Sequence, residues 1–245
     1  MTSQTQLTGF PVAAAQGIWE ENVNSQENVG SYVETADGRG FRYSKMGAVA
    51  SVAGKVYQGT ALDATNLQPS GGLGVSAAAI GATSITISTS ITLAANLLSG
   101  GYLSVDVSTG AGYLYRVDGN TAVVSTTGAV ITLRDPLQIA LDTNSKVIVA
   151  QHPYSGLVIE PGTPTAAIAG VAHRVTTALY FGWVQTRGAA SVLFTGTGVA
   201  GKAVGSLSGG TSGSAAPAIA ATNILGYHMA TGITGEYALV NLTIG

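Results

Sequence analysis

The stretch Ser31-Tyr32-Val33-Glu34-Thr35-Ala36-Asp37-Gly38-Arg39-Gly40-Phe41-Arg42-Tyr43-Ser44 holds two runs rich in aromatic and β-branched residues, joined through Asp-Gly. Asp-Gly between such runs predicts a β-hairpin, because both residues tolerate the left-handed backbone of a tight turn. The pattern recurs. Gly54 precedes Lys55-Val56-Tyr57-Gln58. Beyond Gln68-Pro69-Ser70-Gly71-Gly72 come Ser84–Ser88, Tyr102–Val107, Tyr113–Val117, Ala122–Ser125, Val130–Leu133 and Lys146–Val149. Short strands at such regular spacing, cut by Gly110-Ala111-Gly112 and Asp118-Gly119-Asn120, suit a small barrel or sandwich. After Pro161-Gly162-Thr163-Pro164 the pattern continues in Ala178–Gln185, Ser191–Thr195, Ala203–Leu207, Ile224–Ala230 and Tyr237–Ile244. One short helical turn is expected near Leu93–Leu98, stopped by Gly100-Gly101. The prediction is an all-β protein of two to three small β-barrel or β-sandwich domains with an extended N-terminal arm. Its expected divisions are an arm and hairpin region (1–65), a small barrel or sandwich (66–160) and a C-terminal β domain (161–245).

Composition narrows the function. Only 9% of the 245 residues are charged and the net charge is −2, against about 25% charged residues in an average soluble domain. A monomer uses surface charge to stay soluble and to refuse partners. So little charge suits a chain whose surface is covered by other subunits. The long uncharged stretches are broken by Gly, Ser, Thr and Asn, so no run approaches the ~20 apolar residues of a spanning helix. A membrane role is not expected, nor is an outer-membrane barrel, which wants a signal peptide and aromatic girdles. Met1-Thr2-Ser3-Gln4-Thr5-Gln6 lacks the basic and apolar regions of a signal peptide, and cysteine is absent. Assembly in a cytoplasm is expected, with no disulfide framework.

Chemistry-bearing motifs are few. Gly196-Thr197-Gly198-Val199-Ala200-Gly201-Lys202-Ala203 falls one residue short of a phosphate-binding loop, since Ala203 stands where Ser or Thr would hold Mg²⁺. That mechanism needs a helix starting at the lysine. Ala203-Val204-Gly205-Ser206-Leu207 reads instead as a strand, so a β-turn is the expected structure. His152, His173 and His228 are scattered, no G-x-S-x-G elbow occurs, and the acidic residues cluster only at Glu20-Glu21. No catalytic residues, cofactor or metal site are therefore expected. Arg39, Arg42 and Lys45 alternate with Phe41 and Tyr43, but ten dispersed basic residues do not form the stripe that nucleic acid requires.

Several segments together resemble virion structural proteins of tailed phages. They are Asp37–Tyr43 followed by Gly47-Ala48 and Ala53–Gln58, Gly110–Val117, Asp135-Pro136-Leu137 through His152-Pro153-Tyr154, Phe181–Gly188, Ile224–Tyr227 and Gly235–Leu242. Within that group the chain is most similar to capsid decoration, or cement, proteins. The resemblance implies a non-enzymatic, often trimeric protein on the outer capsid surface at capsomer junctions. Its partners would be the major capsid protein and copies of itself. The runner-up expectation is a head-fibre or tail-associated module that binds a carbohydrate or receptor, with Tyr113, Tyr115, Trp183 and Tyr180 as candidate contacts. The major capsid shell protein is disfavoured because its long spine helix has no counterpart. In the decoration reading, Gln16–Asn28 is an arm anchored by Trp19, and Trp19, Phe41, Tyr43, Arg39 and Arg42 are candidate capsid or subunit contacts.

Overall fold

A computed structural model describes residues 14–61, 63, 66–89, 92–124, 128–206, 211–219 and 223–245. The protein is all-β; every regular element among the described residues is a strand. The chain forms two compact units. One joins Met1–Thr60 to Pro153–Gly245, and the other is Ala61–His152, inserted between those two segments.

The inserted unit is a nearly closed barrel of six strands. Its strands are β4 (Leu73–Gly74), β5 (Ser84–Ile87), β6 (Tyr102–Val107), β7 (Leu114–Asn120), β8 (Ala129–Leu133) and β9 (Lys146–Ala150), hydrogen-bonded in the order β4-β9-β6-β7-β8-β5. Alternate residues point inward, as the two-residue period of a strand requires. Ile87, Leu103, Val105, Val117, Ile131, Val147 and Val149 fill the interior. The two outer strands approach each other through a bridge from Val75 to Ile87, where Ser76 N–H donates to the Thr86 carbonyl (3.0 Å). Two expectations fail locally. Leu93–Leu98 forms turns in place of a helix, held by the buried Asn120, whose side chain accepts from Leu98 N–H and donates to the Ala94 carbonyl (both 2.9 Å). Within Ala122–Ser125, Val123 makes only a single bridge, to Leu93, and Ser125 lies outside the described residues.

The discontinuous unit is a half-barrel sheet of ten strands. From the first segment come β1 (Tyr32–Glu34), β2 (Gly40–Lys45) and β3 (Val56–Gln58). The second supplies β10 (Val158–Ile159), β11 (Ile168–Val171), β12 (Phe181–Leu193), β13 (Ala203–Ser206), β14 (Ala215–Pro217), β15 (Ile224–His228) and β16 (Tyr237–Thr243). The Asp37-Gly38 hairpin is present: β1 and β2 pair with Glu34 opposite Gly40 and Tyr32 opposite Arg42. The sequence divisions 1–65 and 161–245 are joined here by strand pairing, with β3 also lying between β10 and β11.

β12 organises this unit. The sequence suggests two strands, Ala178–Gln185 and Ser191–Thr195; the structure has a single 13-residue strand. Phe181–Arg187 pairs with β2, and Arg187–Leu193 pairs with β16. Its register shifts between Gln185 and Arg187, and Gly188 follows with φ +78°. A bulge of this kind bends a strand and lets it serve two neighbours of different direction. A Cβ at Gly188 would stand 2.9 Å from the Gly38 carbonyl oxygen and 3.0 Å from Arg39 Cα. Gly188→Ala therefore combines left-handed backbone strain with a backbone clash. The expected cost is roughly 1–3 kcal/mol, measured by urea unfolding; an unchanged midpoint refutes this account of the bend.

Candidate functional site

Alternation along β2 sends Phe41 and Tyr43 to one face and Arg42 to the other. Tyr43 lies opposite Trp183 and Phe41 opposite Gln185 on β12. Phe41, Tyr43, Trp183 and Ile18 form one buried cluster, with the Tyr43 and Trp183 rings edge to face at 5.0 Å. Phe41 and Tyr43, expected as contacts for a partner, are fully buried core residues and present no surface. On the opposite face the Arg42 guanidinium lies 5.3 Å from the Tyr32 ring centre and 5.7 Å from that of Tyr154, a site of cation–π attraction.

The segment expected as an arm is built into this core. Residues 1–13 lie outside the described part. From Ala14 onward the chain follows the end of the sheet, and Gln16 is its pin. The Gln16 side chain accepts from the Tyr43 hydroxyl (2.8 Å) and donates to the carbonyls of Glu20 (2.9 Å) and Phe181 (3.2 Å). Its backbone carbonyl accepts from the Trp183 indole N–H (3.2 Å). Asn22 bridges to Phe181 through reciprocal main-chain bonds. Gln16–Asn28 is thus a structural part of the unit, because its buried polar groups have their partners in the sheet and leaving would expose them unpaired.

Pinning that segment leaves Trp19 58% exposed beside a cleft. The cleft has a volume of about 400 Å³ and is lined by Trp19, Arg39, Gly54, His173, Gln185, Ser191 and Tyr237, among others. Each wall has a local cause. The Trp19 carbonyl accepts from the Arg174 guanidinium, and its ring meets His173 edge to face at 4.8 Å. Arg39 ends the hairpin turn, where its Nε–H donates to Asp37 (2.7 Å) and its guanidinium lies 5.8 Å from the Phe41 ring centre. Gln185 donates to the carbonyls of Arg187 and Ala189, which fixes its amide in the wall beside the β12 bulge. Gly54, at φ +76°, leaves the space that Tyr237 fills; a Cβ there would run into the Tyr237 ring. Trp19 and Arg39, two candidates from the sequence, are brought together here. Tyr237, Gln185 and His173 join them with no local sequence signal, since they come from distant parts of the chain.

His173 is the titratable group most altered by this environment. Its Nε2–H donates to the Ile18 carbonyl (2.6 Å), while the buried Nδ1 meets no partner within 3.5 Å among the described residues. Burial lowers its pKa to about 4; the Ile18 bond opposes the shift, and the charges of Arg174 and Arg39 add to it. Elsewhere, burial pushes the Glu160 carboxyl up, opposed by the Gly162 backbone, and His228 down, opposed by the Ala230 backbone.

The other sequence candidates fall elsewhere. Trp183 and Tyr115 are buried, Tyr113 is exposed on the barrel and stacks on Tyr115 at 6.3 Å, and Tyr180 is half-buried. The glycine-rich run from Gly196 leads through a turn at Val199–Lys202 into β13, so a strand stands where phosphate binding needs a helix. Among the described residues no three His, Asp or Glu side chains gather as metal ligands, and no helix is long and apolar enough to cross a membrane. No protein-family model matches the chain, and no curated protein or solved structure matches it either.

The shifted histidine gives a test of how the Trp19 segment is held. Its pKa is depressed from 6.5 in the unfolded chain to about 4 in the fold. Its contribution to stability is therefore fully present above pH 6.5 and is lost as pH falls through about 4. In an NMR titration the His173 ring should change state near pH 4, together with the Trp19 indole resonance. A midpoint near 6.5 contradicts the buried, carbonyl-bonded ring.

Proposed function

We propose that the chain is a non-enzymatic structural subunit of a tailed-phage virion. In this reading it is a capsid decoration protein that self-associates, as a trimer, and binds a shell of major capsid protein at capsomer junctions. The observation that carries the self-association is the outer face of β12, β16 and β15. Along β16 the residues alternate strictly, with Ala238, Val240 and Leu242 buried and Tyr237, Leu239, Asn241 and Thr243 outward. Ser191 lies opposite Leu239 on one side, and Asn241 lies between Ala189 and Tyr227. Tyr227, Leu239 and Met229 are each close to half exposed, and the Met229 N–H donates to the Leu239 carbonyl (2.9 Å). Only Arg187, at one end of these rows, carries charge.

A sheet face that meets water normally carries polar and charged side chains. A face on which half-exposed Tyr227, Met229, Tyr237 and Leu239 alternate with uncharged Ser191, Asn241 and Thr243, with so little charge, suits a protein contact. The low charge of the whole chain and its resemblance to tailed-phage virion proteins support the same reading.

Light scattering on the purified protein should give three times the chain mass. The double variant Leu239→Lys, Tyr227→Lys should give the single-chain mass with an unaltered β-type circular dichroism spectrum. The wild-type protein should also co-sediment with purified phage heads, and the variant should bind them at least tenfold more weakly. A monomeric wild-type protein that fails to bind heads overturns the proposal.

A further inference from the structure

The geometry points to a saccharide-binding site in the Trp19–Tyr237 cleft, one that takes a neutral hexopyranose unit. Two aromatic side chains that are more than half exposed, Trp19 and Tyr237, line the same cleft. Trp offers one of the largest apolar surfaces a side chain can present, and its ring face carries partial negative charge. A pyranose matches such a surface, because one side of its ring presents C–H groups with partial positive charge to the negative face of the aromatic ring.

The rest of the cleft supplies what the sugar's rim needs. Arg39 has guanidinium N–H groups beyond the Nε–H spent on Asp37, and Ser191 is exposed at the wall. Planar donors and a hydroxyl suit the paired hydroxyls of a hexose. The charge balance selects a neutral sugar, since Asp37 offsets Arg39 at 2.7 Å and burial keeps His173 uncharged at neutral pH. The volume, about 400 Å³, lies at the lower end of small-molecule sites and accommodates one to two rings. A proline-rich peptide is the less suited occupant, because it needs an extended aromatic track for a left-handed helix with three residues per turn.

Tyr237 and Ser191 lie on the same outer strand face as Leu239 and also line the cleft, so the test is run on both the wild-type protein and the Leu239→Lys, Tyr227→Lys variant, which separates the site from the assembly role. Saturation-transfer NMR is recorded with glucose, galactose, mannose and N-acetylglucosamine, with linear tetrasaccharides of each, and with decaproline. The expected result is transfer to at least one neutral saccharide in both proteins. Binding of monosaccharides and tetrasaccharides alike marks a ring-sized site for a free sugar; binding of tetrasaccharides alone marks a surface glycan as the source. Trp19→Ala should weaken the binding at least tenfold, about 1.4 kcal/mol, with the melting temperature little changed because the side chain is exposed. Tyr237→Ala is the second variant and should do the same. Absence of transfer to every saccharide, binding that survives both substitutions, or a response to decaproline alone overturns the assignment.

Discussion

The pairing of β12 with β2 on one half and β16 on the other is the constraint on which the rest of the discontinuous unit depends. It brings chain from before residue 60 and chain from after residue 153 into one sheet. The barrel of residues 61–152 could only be inserted where those two segments already lie together. They do: the Thr60 hydroxyl donates to the Gly156 carbonyl (3.0 Å), and the Gly59 N–H donates to Ala167. A bulge and one left-handed glycine let a single strand carry both pairings, which two separate strands would need a turn to achieve.

The cleft follows from the same bend. Beyond the bulge, Ala189, Ala190 and Ser191 pair with β16 on one side and line the cleft on the other, beside Gln185, which still pairs with Phe41 and Val171. The Gly54 loop closes one side, with its carbonyl accepting from Leu193 N–H (2.7 Å). The Gln16–Asn28 segment closes another, and its buried glutamine holds Trp19 in place from three residues away. The aromatic wall is thus a by-product of core formation: Ile18 goes in, and its neighbour Trp19 stays out.

Much of the strand content was legible because it rests on local signals. Asp37-Gly38 located the first hairpin, and Tyr237–Ile244 displayed its period of two so clearly that β16 follows it within a residue. What was not legible is long-range. Gly188 inside a strand pattern reads as a break, and only pairing with two partners reveals it as a bulge. Phe41 and Tyr43 look like surface aromatics beside arginines, yet alternation places them inward once Trp183 and Ile18 cover them. The short strands β4, β10 and β14 have two or three residues each and exist only through their neighbours. Of the site, Trp19 and Arg39 stood out in the sequence. Tyr237, Gln185 and His173 reach the same cleft from other parts of the chain, and spacing along a chain holds no information about that.

Met1–Thr60 and Pro153–Gly245 form one compact unit that folds without the barrel and carries both the weakly charged sheet face and the aromatic cleft. The most direct test of that independence replaces residues 61–152 with a Gly-Ser-Gly link from Thr60 to Pro153 and measures unfolding and mass of the product. The shortened protein should show a single cooperative unfolding transition and the same oligomeric state as the full chain. A shortened protein that is unfolded, or that folds but has lost self-association present in the full chain, contradicts it.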